Sequence, residues 1–118
     1  SNQTMEFMRK LVKYTIAYYN DFVIGTRNPA IPNEYQLKAL IDLKNNLNVL
    51  NENTSTDELQ NIVFEIGKKY YKENLKEWFF SLYKILFGSD NGPRMGSFIS
   101  LYGIKNTIDL INKRIAHV

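Results

Sequence analysis

The sequence has no cysteine, which rules out a disulfide framework and thiolate metal sites and sets the prior on a reducing, cytoplasmic compartment. Histidine is almost absent too: the single one, His117, stands next to the last residue. A chain end does not supply the rigid surroundings that acid–base chemistry needs, so His117 is given no role. Long apolar runs are missing as well. Stretches such as Trp78 to Phe80 and Leu40 to Ile41 fall far below the roughly 20 residues that cross a bilayer, and no secretory apolar region opens the chain. No nucleophile stands beside a base, no carboxylates cluster, and no phosphate-cradling glycine loop is followed by a Lys-Ser/Thr pair. The expectation is a soluble protein with no catalytic residue, no metal ligand and no cofactor of its own.

Period-two alternation and hairpin signatures are also lacking, and what fills the chain instead is helical spacing. With 118 residues, 44% hydrophobic and 23% charged, the composition suits one globular domain that buries about two-thirds of its unfolded surface. The net charge of +3 fits an anionic partner without requiring one. Ser1 and Asn2 look like the remnant of a cleaved tag, so residues 1–3 are read as a tail and 4–118 as the domain, a fragment of something larger.

From Thr4 to Val23, apolar residues at Met5, Met8, Leu11, Val12, Ile16, Tyr19 and Val23 recur every three or four positions, as in an amphipathic helix. Gly25, Asn28, Pro29 and Pro32 interrupt it. Asn33, with Gln36 placed for the reciprocal bond, caps a second helix that runs to about Leu50. Ser55 and Glu58 form the same signature ahead of Leu59, Val63 and Ile66, and Asn74 with Glu77 repeats it ahead of an almost all-round apolar helix ending at Gly88. Pro93 suits the first turn of a short helix, Gly103 a left-handed cap at its end, and Ile104, Ile108, Ile111 and Ile115 a last helix. The fold class expected is all-α, a single bundle of about six helices.

Four features bear on function. The stretch Gly88 to Gly96 is either a turn between packed helices or an anion contact made by Arg94 and the following helix start. Trp78, Phe79 and Leu82 belong to the core, leaving tyrosines at the rim, Tyr83 among them, as faces for unpaired RNA bases. Arg9, Lys10 and Lys13 on the first helix, Lys105, Lys113 and Arg114 on the last, and lysines such as Lys84 between them make either a solvated mixed-charge surface or a contact for an RNA backbone. Arg94 could equally face RNA or pair with a carboxylate and lock its turn.

The segment WFFSLYKILFGSDNGPRMGSFISLYG, Trp78 to Gly103, resembles the C-terminal domain of class I lysyl-tRNA synthetases. That family has a helix ending in Tyr-x-x-Leu-x-Gly, a Gly-Pro-Arg-x-Gly turn and a small helix, matched here by Tyr83, Leu86, Gly88, Gly92, Pro93, Arg94 and Gly96. The preceding Ile62 to Tyr70 looks like the family's previous helix, so the similarity covers Asp57 to Ile115, and the first fifty residues share helical character alone. The resemblance implies an anticodon-binding helical cage for tRNA(Lys), joined in the same polypeptide to a catalytic domain that activates lysine with ATP. It implies no DNA or membrane partner. The His-x-Gly-His and Lys-Met-Ser-Lys-Ser signatures of class I catalytic domains are missing, so aminoacylation by this chain alone is not expected. RNA contacts are expected at Arg94, Lys84, Lys105 and Tyr83. The alternatives are a helical protein-interaction or assembly domain, or the corresponding domain of a related class I enzyme such as glutamyl-tRNA synthetase.

Overall fold

The computed structural model describes residues 2–118, and its elements are six α-helices: α1 (Asn2–Ile24), α2 (Glu34–Asn48), α3 (Thr56–Tyr71), α4 (Leu75–Phe87), α5 (Met95–Tyr102) and α6 (Ile104–Ile115). Among the described residues there is no strand. The all-α expectation holds, with six helices.

Local chemistry sets most of the boundaries. Asn33 caps α2 through both halves of the box: Gln36 N–H donates to Asn33 Oδ1 at 2.8 Å, and Asn33 N–H donates to Gln36 Oε1 at 3.0 Å. Ser55 Oγ accepts from Glu58 N–H at 3.1 Å. Gly88 ends α4 in the left-handed conformation, φ 65° and ψ 24°. A β-carbon there would come 2.4 Å from the Arg27 carbonyl oxygen, so the α1–α2 loop crosses directly over this cap.

Four sequence expectations need correction. The Asn74 side chain makes no cap bond; its backbone carbonyl accepts from Glu77 and Trp78 instead, at 3.2 and 3.4 Å. Pro93 lies ahead of α5 rather than in its first turn, with Arg94 at the cap position. Gly103 has positive φ (104°) but an extended ψ (141°), which breaks the chain sharply between α5 and α6 rather than closing a left-handed cap. The almost all-round apolar helix over Leu75–Phe87 is not buried all round: Trp78 and Leu82 are core, but Phe79, expected beside them, is only half-buried and Phe80 stays 44% exposed.

The core is built from Ala39, Leu40, Leu43 and Leu47 of α2, Leu59, Val63 and Ile66 of α3, Trp78, Leu82, Ile85 and Leu86 of α4, and Met95, Phe98 and Ile99 of α5, closed by Leu110 and Ile111 of α6. Each set follows the three-and-four spacing that places residues on one helix face. α3 lies against α2, α4 and α5, and α6 against α2, α4 and α5. Small residues let the backbones meet. At Gly96 a β-carbon would sit 2.5 Å from the Thr56 carbonyl, and at Gly67 one would sit 2.4 Å from Trp78 Cδ1. Trp78 turns its indole N–H to the Val63 carbonyl at 2.9 Å, so its one polar atom is satisfied in the core.

α1 behaves differently. It starts at Asn2, two residues before the expected Thr4, and packs only through its C-terminal part, where Val23 is buried and Tyr19 and Phe22 lie against the core. Met5, Met8, Leu11, Val12 and Ile16 are exposed although their spacing is that of a packed face. At 23 residues the helix is about 35 Å long, and it stretches the molecule to 50 × 28 × 23 Å. The radius of gyration, 14.7 Å, exceeds the roughly 13.5 Å of a compact chain this long.

Candidate functional site

The Gly-Pro-Arg-x-Gly segment forms the turn between α4 and α5, and both of its glycines have a packing reason. Gly92 presses against Tyr83, where a β-carbon would lie 2.8 Å from Cδ1. The Tyr83 hydroxyl donates to the Pro93 carbonyl at 3.0 Å, and burial pushes its pKa up. Arg94 Nη2 lies 3.3 Å from Asp57 Oδ1 at the start of α3. Gly96 lets α5 touch α3, and its N–H donates to Gln60 Oε1 at 2.7 Å. The anion contact considered for the start of α5 has therefore already lost one of its amides to Gln60.

Of the four residues expected to face RNA, the fold gathers three. Tyr83 and Lys84 sit on the last turns of α4 and Arg94 at the far end of the same turn. Lys84 pairs with Asp90 at 2.8 Å and lies 5.9 Å from the Phe80 ring centre. Lys105 is elsewhere, beyond the other end of α5, where its backbone N–H and that of Ile104 donate to the Glu52 carboxylate at 3.4 and 3.3 Å. An eight-residue helix, about 12 Å long, separates Lys105 from Arg94.

The two ion pairs at the turn are weak partnerships. The side chains of Arg94 and Asp57 are 49% and 93% exposed, and those of Lys84 and Asp90 are 40% and 70% exposed. Exposed pairs of this kind contribute roughly 0–1 kcal/mol, so either cation can exchange its carboxylate for a phosphate at little cost.

Arg114 is different, and here the sequence reading is corrected. The sequence groups it with Lys105 and Lys113 as a solvated or RNA-facing cation. Instead it is 7% exposed, with Nη2 and Nε donating to the Leu86 carbonyl at 2.9 and 3.3 Å. The reason lies in its register: Thr107, Leu110, Ile111 and Arg114 share the buried face of α6. The guanidinium supplies donors to a carbonyl in the last turn of α4 that has no partner within its own helix.

Beside the turn a cleft of about 340 Å³ opens between α1 and residues 89–93. Tyr18, Tyr19 and Phe22 form one wall, and Ser89, Asn91, Gly92 and Pro93 form the other. Tyr19 is held edge-on against buried Phe98, ring centres 5.3 Å apart, and Phe22 packs on Phe87 at 5.1 Å. Tyr18 is 65% exposed. Sequence spacing brings Tyr18, Tyr19 and Phe22 onto adjoining positions of one helix, but no local signal marks Ser89 or Asn91 as their counterparts.

No protein-family model matches the chain, and no solved structure matches it. Curated proteins do. The lysine–tRNA ligase of Rickettsia felis is 35% identical over 113 residues, 96% of this chain, and that of Rickettsia bellii strain OSU 85-389 is 38% identical over 109 residues, 92% of it. The lysine–tRNA ligase of Rickettsia prowazekii is 33% identical over 95% of the chain. The chain is similar to one part of lysine–tRNA ligases. It spans about a fifth of the length of these relatives, 22%, 21% and 21% respectively. The similarity also reaches well ahead of Asp57 into α1 and α2, where the sequence had offered helical character alone.

Proposed function

We propose that this chain is the anticodon-binding part of a class I lysine–tRNA ligase, recognising the anticodon stem-loop of tRNA(Lys) and working with a catalytic domain of the same polypeptide. The observation that carries the reading is the similarity to lysine–tRNA ligases over 92–96% of the chain. The geometry supports it. An anticodon loop presents splayed bases, which proteins read by stacking and edge hydrogen bonds while cations hold the phosphates. Around the α4–α5 turn, exposed aromatic surface adjoins Lys84 and Arg94, whose carboxylate partners are easily exchanged. ATP-dependent lysine activation belongs to the catalytic part of the enzyme, so the chain by itself binds RNA and does not charge it.

The test is binding of the purified chain to a lysine-type anticodon stem-loop and to one with substituted anticodon bases, at two salt concentrations. Preferential binding that weakens with salt is expected. Equal affinity for both RNAs would remove the anticodon from the reading, and no binding to either would remove RNA from it.

A second reading, an assembly module, draws on the exposed apolar stripe of α1. Its signature would be protein association that RNA does not compete away.

A further inference from the structure

We propose that the cleft between α1 and residues 89–93 receives a single unpaired RNA base, stacked on Tyr18. The inference rests on the reading that the chain binds RNA, and it adds the place where one base is held and the residues that hold it.

Size limits the occupant. At about 340 Å³ the cleft is near the lower end of small-ligand pockets, about 300–1,000 Å³. It has room for one flat ring system, and a duplex stem or a partner helix does not enter it.

Chemistry limits it further. Among the described residues no carboxylate, ammonium or guanidinium lines the cleft, so it suits an uncharged group. The cations stand outside, Lys84 on the last turn of α4 and Arg94 directly after Pro93, each on an exposed carboxylate. A nucleotide divides in the same way, with an uncharged aromatic base and an anionic phosphate on either side. Ser89 and Asn91 bring a hydroxyl and a carboxamide to the wall opposite the tyrosines, and these can donate to and accept from a base edge. The Ser89 hydroxyl oxygen already accepts from Asn91 N–H at 3.4 Å and keeps its own hydrogen to donate.

The site is also prepared in advance. Tyr19 and Phe22 are fixed against Phe98 and Phe87, and the opposite wall is fixed from behind by the Tyr83 hydroxyl on the Pro93 carbonyl. Only Tyr18 keeps an open face, its ring centre 5.8 Å from that of Tyr19 at an interplanar angle of 58°. Ordering one side chain against a rigid wall costs less than assembling the whole wall on binding.

The experiment compares the chain with its Tyr18→Ala, Tyr18→Phe and Arg94→Ala variants, measuring affinity for a lysine-type anticodon stem-loop over a salt series, with a thermal melt of each. Loss of one base stack predicts that Tyr18→Ala binds about five- to a hundredfold more weakly with an unchanged salt slope. Tyr18→Phe should bind like the parent, because the ring face is kept. Arg94→Ala should lower the salt slope by about one. Because Tyr18 is 65% exposed, its truncation should leave the melt unchanged. If Tyr18→Ala binds RNA as tightly as the parent while Arg94→Ala still alters the slope, the base cleft is wrong and RNA binding stands. If the parent binds no RNA, both fall. If Tyr18→Ala changes only self-association, a protein group occupies the cleft and the proposal is overturned.

Discussion

Gly92 and Tyr83 are in such close contact that one fixes the other: a β-carbon at position 92 would lie 2.8 Å from Tyr83 Cδ1 and 3.1 Å from Cε1. The same tyrosine reaches past Gly92 to bond the Pro93 carbonyl. Turn and helix end are therefore one unit, and the face they present to the cleft depends on both.

Two substitutions separate the ring from the hydroxyl. Tyr83→Phe keeps the packing and removes one half-buried hydrogen bond, a loss of about 0.5–1.5 kcal/mol. Gly92→Ala forces the turn off the ring and should cost more, about 1–3 kcal/mol, the usual range for overpacking. Chemical denaturation of both variants checks the order. A Gly92→Ala protein as stable as the parent would mean that the turn shifts freely.

Gly67 makes an unusual case for helix propensity. Replacing an interior helical glycine with alanine ordinarily stabilises by about 0.5–1 kcal/mol. Here the new methyl would sit 2.4 Å from Trp78 Cδ1 and 2.8 Å from Leu75 Cδ2. Overpacking of about 1–3 kcal/mol then outweighs the gain, and Gly67→Ala should melt lower than the parent. As the only tryptophan, Trp78 reports on the same site, and its emission should change with the substitution. A higher melting temperature would show that α3 and α4 separate easily.

These contacts mark the limit of what the sequence reveals. Caps such as Asn33 with Gln36, and breakers such as Gly88, act within a few residues, so the boundaries they set could be read directly, whereas Asn74, Pro93 and Gly103 carry the same residue types without the expected geometry. The core faces of α2 to α6 could be read as well, because burial imposes its period on the chain, but the same period in α1 marks a face that stays exposed. At Arg114 register outweighs charge: its position between Ile111 and Ile115 puts it beside the buried face of α6, where the Leu86 carbonyl accepts its guanidinium N–H. The cleft could not be foreseen, since it joins α1 to a turn far along the chain and depends on how α1 crosses α4 and α5. Tyr83, Lys84 and Arg94 were found together because one motif carries all three, and Lys105 lies apart because the rigid α5 intervenes.

Asp42 should give the fold a pH dependence. Its carboxylate accepts from Lys69 Nζ at 2.7 Å, from the Tyr70 hydroxyl at 2.8 Å and from Asn46 Nδ2 at 2.9 Å. The Lys69 bond is the largest influence and, against an opposing effect of burial, holds the carboxyl below its ordinary value of 3.8. A depressed folded pKa contributes stability that is complete above the unfolded value and is lost as pH falls through the folded one. The Tyr70 pKa is raised, chiefly by its bond to Asp42, so its contribution is complete below 10.0 and is lost as pH rises through the folded value. Asp42→Asn should therefore be less stable than the parent at pH 7 and should flatten both the acid and the alkaline limb of the stability curve. Parallel curves for the two proteins would show that Asp42 and its three donors do not act together.

The exposed stripe on α1 should affect association far more than folding. Met5, Met8, Leu11, Val12 and Ile16 are 57%, 55%, 45%, 43% and 37% exposed, and their spacing joins them into one face. Apolar patches of this kind drive contact between molecules, so the chain should show a concentration-dependent mass in analytical ultracentrifugation. Because these side chains are open to solvent, the double variant Met8→Gln, Val12→Gln should alter folding stability by no more than about 0.5 kcal/mol per site. It should sediment as a monomer at concentrations where the parent does not, and melt within a few degrees of it. A parent that stays monomeric at all concentrations would show that the stripe does not drive self-contact. Compared at a concentration low enough for both proteins to be monomeric, a variant that melts far lower would show that the stripe supports the fold of its own chain, because association no longer contributes to the stability of either.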